Sequence, residues 1–147
     1  MLGTVIRTRI NLYSWFERLV PVLDIALRIW IARVFFLSGL TKIQTWDSTL
    51  MLFEYEYAVP VIPFELAAYM ATAGELILPV LIVLGLFTRF GLAGLFVLNL
   101  VAAISYPDIS PAGIQQHTMW GLMMIVLLVH GPKLVSVDRW LDKKFNG

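Results

Sequence analysis

Six side chains able to move a proton or hold a polar ligand sit inside stretches otherwise too apolar for water. They are Asp24, Arg28 and Arg33 in the first stretch, Glu75 in the second, Asn99 in the third and His117 in the fourth. An ionisable group in hydrocarbon costs roughly 2.5–3.5 kcal/mol on insertion scales, so each marks a place to look for function. Asp24 and Arg28 are four residues apart and share a helical face in the favourable acid-first order, so they can pair locally. Arg33 lies near the middle of its stretch and Glu75 near the middle of the next, which runs the opposite way. An ion pair from Arg33 or Arg28 to Glu75 is geometrically reasonable. Pro79 follows Glu75 by four residues and, lacking an N–H, leaves the Glu75 carbonyl without its helical donor. With Gly74 beside it, the helix can bend there and open a polar notch at mid-membrane depth. Asn99 is at comparable depth, so these groups can line one cavity, with Trp30 and Trp120 as flat walls for a ring. Two uses are open: an ion pair that fixes the bundle, or a site where Glu75 relays a proton while an arginine holds a quinone oxygen.

The two histidines are thirteen residues apart in the fourth stretch, roughly 20 Å of helix, and cannot bracket one haem. Imidazole titrates near physiological pH, which makes His117, toward the outer end, a candidate proton donor or acceptor; with Glu75 it forms the candidate catalytic set. His130, beside Gly131-Pro132, reads as structural. Glu54, Glu56, Glu65, Asp108 and His117 all fall on the outer side, but nothing in their spacing gathers them and no metal site is expected. The chain has no cysteine, which excludes thiol–disulfide chemistry, thiolate zinc, cysteine-ligated iron–sulfur clusters and covalent haem through C-x-x-C-H. A net charge of +1 without a basic patch excludes nucleic acid as a partner.

The elements that must position these groups are membrane helices. With 59% hydrophobic residues and a mean hydropathy of +0.81, the chain lies outside the range of soluble domains and a bilayer is its natural solvent. A hydrocarbon core takes about 20 helical residues to cross, and four segments qualify, residues 21–40, 65–87, 90–106 and 114–130. Arg7, Arg9 and Arg18 precede the first, Arg89 separates the second and third, and Lys133, Arg139, Lys143 and Lys144 follow the fourth. The other side carries Lys42 against Asp47, Glu54, Glu56, Glu65 and Asp108. Excess Lys and Arg mark the cytoplasmic side. The expected fold is therefore all-α, a four-helix transmembrane bundle spanning 21–132, with both termini cytoplasmic and the inner membrane as its site. Small residues such as Ala32, Gly39, Gly74, Gly91, Gly94 and Gly121 let such helices approach closely. Residues 1–20 mix Arg7, Arg9 and Arg18 with Ile6, Ile10, Leu12, Trp15 and Phe16, which suits a short helix on the inner surface. The apolar run after them is too long for a signal peptide, and Phe36-Leu37-Ser38-Gly39 is a poor cleavage site, so the segment is expected to stay. Residues 41–64 carry Trp46, Phe53, Tyr55 and Tyr57, with Leu50, Met51 and Phe53 at helical spacing. A short helix at the outer interface is expected, started by Asp47 or Ser48 and followed by an extended turn at Pro60 and Pro63. Residues 133–147 form a basic cytoplasmic tail.

Leu27-Arg28, Phe35, Ser38-Gly39-Leu40 and Lys42-Ile43 together resemble the first-helix signature of the DoxX family of small bacterial four-helix membrane proteins. Glu75 with Leu84-Gly85-Leu86 and Arg89, His117 opening the last helix, and Gly131-Pro132 followed by Ser136-Val137-Asp138-Arg139 extend the resemblance over roughly residues 24–140. The family takes its name from a membrane subunit of a thiosulfate-oxidising, quinone-reducing enzyme. The resemblance thus implies the membrane subunit of a redox system, with quinone as its cofactor or substrate and a protein partner or a homo-oligomer in the bilayer; the residues' own placement would put Arg28, Arg33, Asn99, Trp30 and Trp120 around the ring. The positions that match the family pattern are Arg28, Gly39, Lys42, Glu75, Arg89, His117 and Asp138; Arg33 departs from it. No complete catalytic constellation is present, which leaves open a non-catalytic anchor or assembly partner in a stress or metal-handling pathway. A small transporter acting as an oligomer is a third reading.

Overall fold

The computed structural model describes residues 2–131 and 136–145, and all regular structure within them is helical. Six helices follow one another: α1 (Leu2–Gln44), α2 (Trp46–Tyr55), α3 (Phe64–Leu84), α4 (Thr88–Ser105), α5 (Pro111–His130) and α6 (Val137–Phe145). Three of them, α3, α4 and α5, are long and apolar enough to cross a membrane. The longer α1 has its apolar run interrupted by Asp24, Arg28, Arg33 and Lys42. These four long helices pack in a ring, α1 against α3, α3 against α4, α4 against α5, and α5 back against α1. At the centre lie Ile31 and Phe35 of α1, Ile82 of α3, Leu92 and Leu95 of α4, and Met124 and Leu127 of α5.

Polarity is inverted relative to a water-soluble bundle. Arg28, Glu75, Asn99 and Ser105 are buried, whereas Leu37, Ile77, Val97, Leu122 and Val126 are exposed. Apolar side chains outward and polar ones inward is the arrangement a lipid solvent stabilises, because hydrocarbon offers polar groups no partner and the protein interior offers most of them one. The fold is a helical membrane bundle.

Helix ends follow from local chemistry. Pro63, extended at φ −58° and ψ 145°, precedes α3 because its ring cannot continue a preceding helix. At the other end Gly85 adopts φ +67°, and the N–H of Leu86 returns to the carbonyl of Leu81 at 3.0 Å, the closing bond of a glycine-terminated helix. Ser110 caps α5, its hydroxyl accepting from the N–H of Gly113 at 3.1 Å, with Pro111 in the first turn.

Two expectations are revised. Residues 2–20 do not form a separate surface helix; they continue into α1, and Pro21 removes one hydrogen bond without ending it. The helix expected within 41–64 is present as α2, but neither Asp47 nor Ser48 caps it. The chain bends at Thr45, whose hydroxyl bonds back to the Thr41 carbonyl at 3.0 Å, and α2 turns onto α3 where Phe53 packs against Ala67 and Ala68. The basic tail is described only from residue 136, and Pro132 and Lys133 lie outside the described residues.

Candidate functional site

The site is built on the stripe of α1 that faces the bundle. Asp24, Arg28, Ile31, Ala32, Phe35 and Gly39 are all buried, a spacing that returns to one helical face. At Gly39 the helix comes so close to α3 that an added Cβ would stand 2.9 Å from Leu76 and 3.1 Å from the Cβ of Glu75. One turn further on, Lys42 reaches across this contact. Its Nζ lies 2.7 and 3.0 Å from the two Glu75 carboxylate oxygens and donates to the Ser38 hydroxyl at 2.9 Å. The Lys42 and Glu75 side chains are 18% and 11% exposed, so the pair is largely withdrawn from solvent.

Beside the pair is a cavity of about 550 Å3 between α1, α3, α4 and α5, roofed by α2 and the segment after it. Phe35 and Trp120 meet edge to face at 5.7 Å on one wall, and His117 stacks on Trp120 in the same manner at 5.2 Å. The roof holds Phe53 and Tyr57, and it is tied down by the Ala58 N–H donating to the Ser105 carbonyl at 2.7 Å. Burial, reinforced by the negative charge of Glu75, holds the Tyr57 phenol above its ordinary range, so it remains a protonated hydroxyl. Ser105 Oγ, 1% exposed on the cavity wall, has no hydrogen-bond partner among the described residues.

Glu75, His117 and Trp120 are thus brought to one cavity. Asn99 stands behind it, accepting from or donating to His117 through both amide atoms, at 2.9 Å to the His117 carbonyl and 2.8 Å to Nδ1. The expected arginine–Glu75 pair is not formed. Arg28 is buried and pairs with Asp24, and Arg33 is exposed, lining a groove with Phe36, Pro79 and Val83 outside the bundle. Trp30 is 51% exposed and stands away from the cavity. Lys42 takes the place assigned to the arginines because α1 runs on to Gln44, which carries Lys42 inside a helix rather than in a loop. Ser38, Tyr57 and Ser105 belong to the cavity as well; Ser38 alone had a readable signal, four residues before a lysine.

A second cluster gathers at the α6 end. The Asp138 carboxylate accepts from the Phe87 N–H at 2.8 Å, and from the Thr88 N–H and hydroxyl at 2.9 Å each, while its own N–H donates to the Gly85 carbonyl at 2.9 Å. Asp138 thereby satisfies the free N–H groups at the start of α4 from another element. Burial alone would push its carboxyl up, but the donors from Thr88 and Phe87, together with the positive charge of Arg28, hold it below the usual carboxylate range. Gly85 permits the contact: an added Cβ would meet Ser136 Cβ at 2.5 Å. Arg89 lies against Gly131, where a Cβ would stand 3.1 Å from its guanidinium.

Apolar faces turned outward around a charged pair define a multi-pass helical membrane protein. The chain belongs to the DoxX family, whose model matches residues 23–108, more than half of its length. His117 and Asp138 lie beyond the matched segment. The chain is also similar to an uncharacterized protein of Haemophilus influenzae, at 28% identity over 81% of this chain and 83% of that protein. No solved structure matches it.

Proposed function

We propose that the protein is the membrane subunit of a redox system and takes a quinone-class ring from the bilayer into the cavity beside Lys42 and Glu75. In this reading all four long helices cross the inner membrane of a bacterium, with both termini cytoplasmic and α2 on the outer side. The observation that carries the proposal is a buried ion pair exposed to the interior of a mostly apolar cavity. A volume of about 550 Å3 falls in the range of small-molecule sites, which pair apolar walls with a few placed polar groups. Leu37, Met70 and Val97 line the cavity and also face outward, which supports a route from lipid. Phe35 and Trp120 flank the ring, while Glu75 and Lys42 hold a proton and a charge beside its oxygen. Quinone reduction needs two electrons and two protons; the electrons come from a redox centre on a partner protein. A purely anchoring role requires no such cavity.

The test uses the fluorescence of Trp120. A short-chain quinone added to the full-length protein in detergent is expected to quench saturably, with the quenched component lost in Trp120→Phe and the affinity weakened in Glu75→Gln. Quenching that rises linearly with quinone, and equally in all three proteins, would show partition into the micelle and refute the site.

A further inference from the structure

The hydrogen-bonding character of His117 is fixed before any ligand arrives. Its backbone carbonyl can only accept, so the Asn99 amide must turn Nδ2 toward it, at 2.9 Å. Oδ1 of Asn99, an acceptor, then faces His117 Nδ1 at 2.8 Å, and Nδ1 must carry the proton. In the neutral ring the other nitrogen, Nε2, holds a bare lone pair. Among the described residues no side chain or backbone group donates to it. Asn99 is 4% exposed, and the opposite tautomer would set two acceptors 2.8 Å apart.

The second pole of the cavity is also an acceptor. Lys42 directs its three protons to Ser38 and the two Glu75 oxygens, whereas the carboxylate has lone pairs to spare. The hydroxyls of Tyr57 and of Ser105, the latter without a partner among the described residues, can donate or accept and so bond either form of the ring; His117 is the group that tells the two apart.

We infer that the cavity selects a hydroxyl-bearing ring, of the phenol or hydroquinone class, over the corresponding quinone, and that Asn99 is the positioning residue that keeps His117 an acceptor. This rests on the reading of the cavity as a quinone-class site and sharpens it. A ring hydroxyl donates to His117 Nε2; a quinone carbonyl in the same place opposes lone pair to lone pair. One net hydrogen bond makes the hydroquinone bind roughly tenfold more tightly. That preference raises the midpoint potential of the bound two-electron couple by about 30 mV.

The experiment compares ligands on the unaltered full-length protein, anaerobically in detergent. A short-chain hydroquinone, its quinone and its dimethyl ether are each bound, the non-quenching ones by displacing the quinone from Trp120. Histidine 15N spectra, assigned with His130→Gln, report which nitrogen of His117 is protonated. The hydroquinone is expected to bind about tenfold more tightly than either analogue, with the proton on Nδ1. Asn99→Leu releases the tautomer of His117 and is expected to erase the hydroquinone preference by letting Nε2–H donate to the quinone, a change that loss of packing alone does not produce. Equal affinities for hydroquinone and dimethyl ether, or a proton on Nε2, overturn the inference and leave the quinone-class site standing. Absence of saturable binding by all three overturns both, and the series needs no variant to fold.

Discussion

Replacing Lys42 by methionine tests the pair on which the site depends. The substitution keeps the length and apolar stem of the side chain and removes only the ammonium, which lies 2.7 and 3.0 Å from the Glu75 oxygens. With the two side chains 18% and 11% exposed, a stranded carboxylate has little solvent to turn to. Breaking a buried pair from one side costs about 3–5 kcal/mol, and uptake of a proton by the stranded Glu75 reduces the expected loss to about 2–4 kcal/mol. Glu75→Gln, which strands Lys42 instead, is expected to lose a similar amount. The double variant replaces both charges by neutral groups of nearly the same shape, and such replacements sit within about 1 kcal/mol of the parent. Reversible unfolding in mixed micelles, followed by tryptophan fluorescence, is expected to give a coupling energy of at least about 2 kcal/mol. Single losses that add to within about 0.5 kcal/mol would refute the pairing. Arg33→Met is the internal control: Arg33 is exposed and its loss should stay within about 0.5 kcal/mol. Strong coupling of Arg33 to Glu75 would equally overturn the assignment of Lys42.

Other perturbations probe the rest of the molecule. Asp138→Ala removes the donor sink for the start of α4 and is expected to lower stability by about 1–2 kcal/mol, with faster limited proteolysis around α6. Because the Asp138 carboxyl is held below its ordinary range, its contribution is complete above about pH 4 and disappears as pH falls through the lower folded value. Protease accessibility of α6 should therefore rise in acid for the parent and stay constant in Asp138→Asn. Gly85→Ala places a Cβ 2.5 Å from Ser136 at φ +67°, and a loss of about 1–3 kcal/mol is expected from strain alone. Val61 is fully exposed with φ +77°, so Val61→Gly is expected to stabilise by about 1 kcal/mol, read as a higher Tm.

Much of this arrangement could be read before any coordinate. Asp24 and Arg28 pair as their spacing demands, and the apolar runs that hold Glu75, Asn99 and His117 became α3, α4 and α5. What went astray was depth as well as rotation: Glu75 meets Lys42, nine residues and roughly 13 Å of helix beyond Arg33. At about 100° per residue, Arg33 and Trp30 fall on the far side of the stripe that runs from Asp24 through Phe35 to Gly39. Counting only position along the span placed Arg33 beside Glu75; counting helical phase would have turned it outward and put Lys42 near the seam. Ser105 and Tyr57 were illegible for a different reason. Tyr57 reaches the cavity through the roof segment, and Ser105, the last residue of α4, meets it there; the path of the roof depends on a bend at Thr45 and on one backbone bond from Ala58 to Ser105, and no local pattern specifies either.

The residues on which the family resemblance was read divide into two groups at separate places in the fold. Lys42, Glu75 and His117 line the cavity, with Gly39 at the helix contact beside Glu75, whereas Arg28, Arg89 and Asp138 gather at the end where α6 docks. Arg28 and Lys42 lie on the same helix, roughly 20 Å apart along its axis. The α6 group has every feature of a latch: a capping carboxylate, a glycine that admits a second segment, and cations at the margin. It offers no cavity. The cavity group has the opposite character: among the described residues Ser105 Oγ has no hydrogen-bond partner and nothing donates to His117 Nε2. The latch touches only the start of α4, whereas Asn99, which fixes His117, lies eleven residues and roughly 16 Å further along that helix. Loosening Asp138 should therefore leave ligand chemistry unchanged so long as the four-helix ring holds, because the ring contacts of α4 with α3 and α5 are independent of α6.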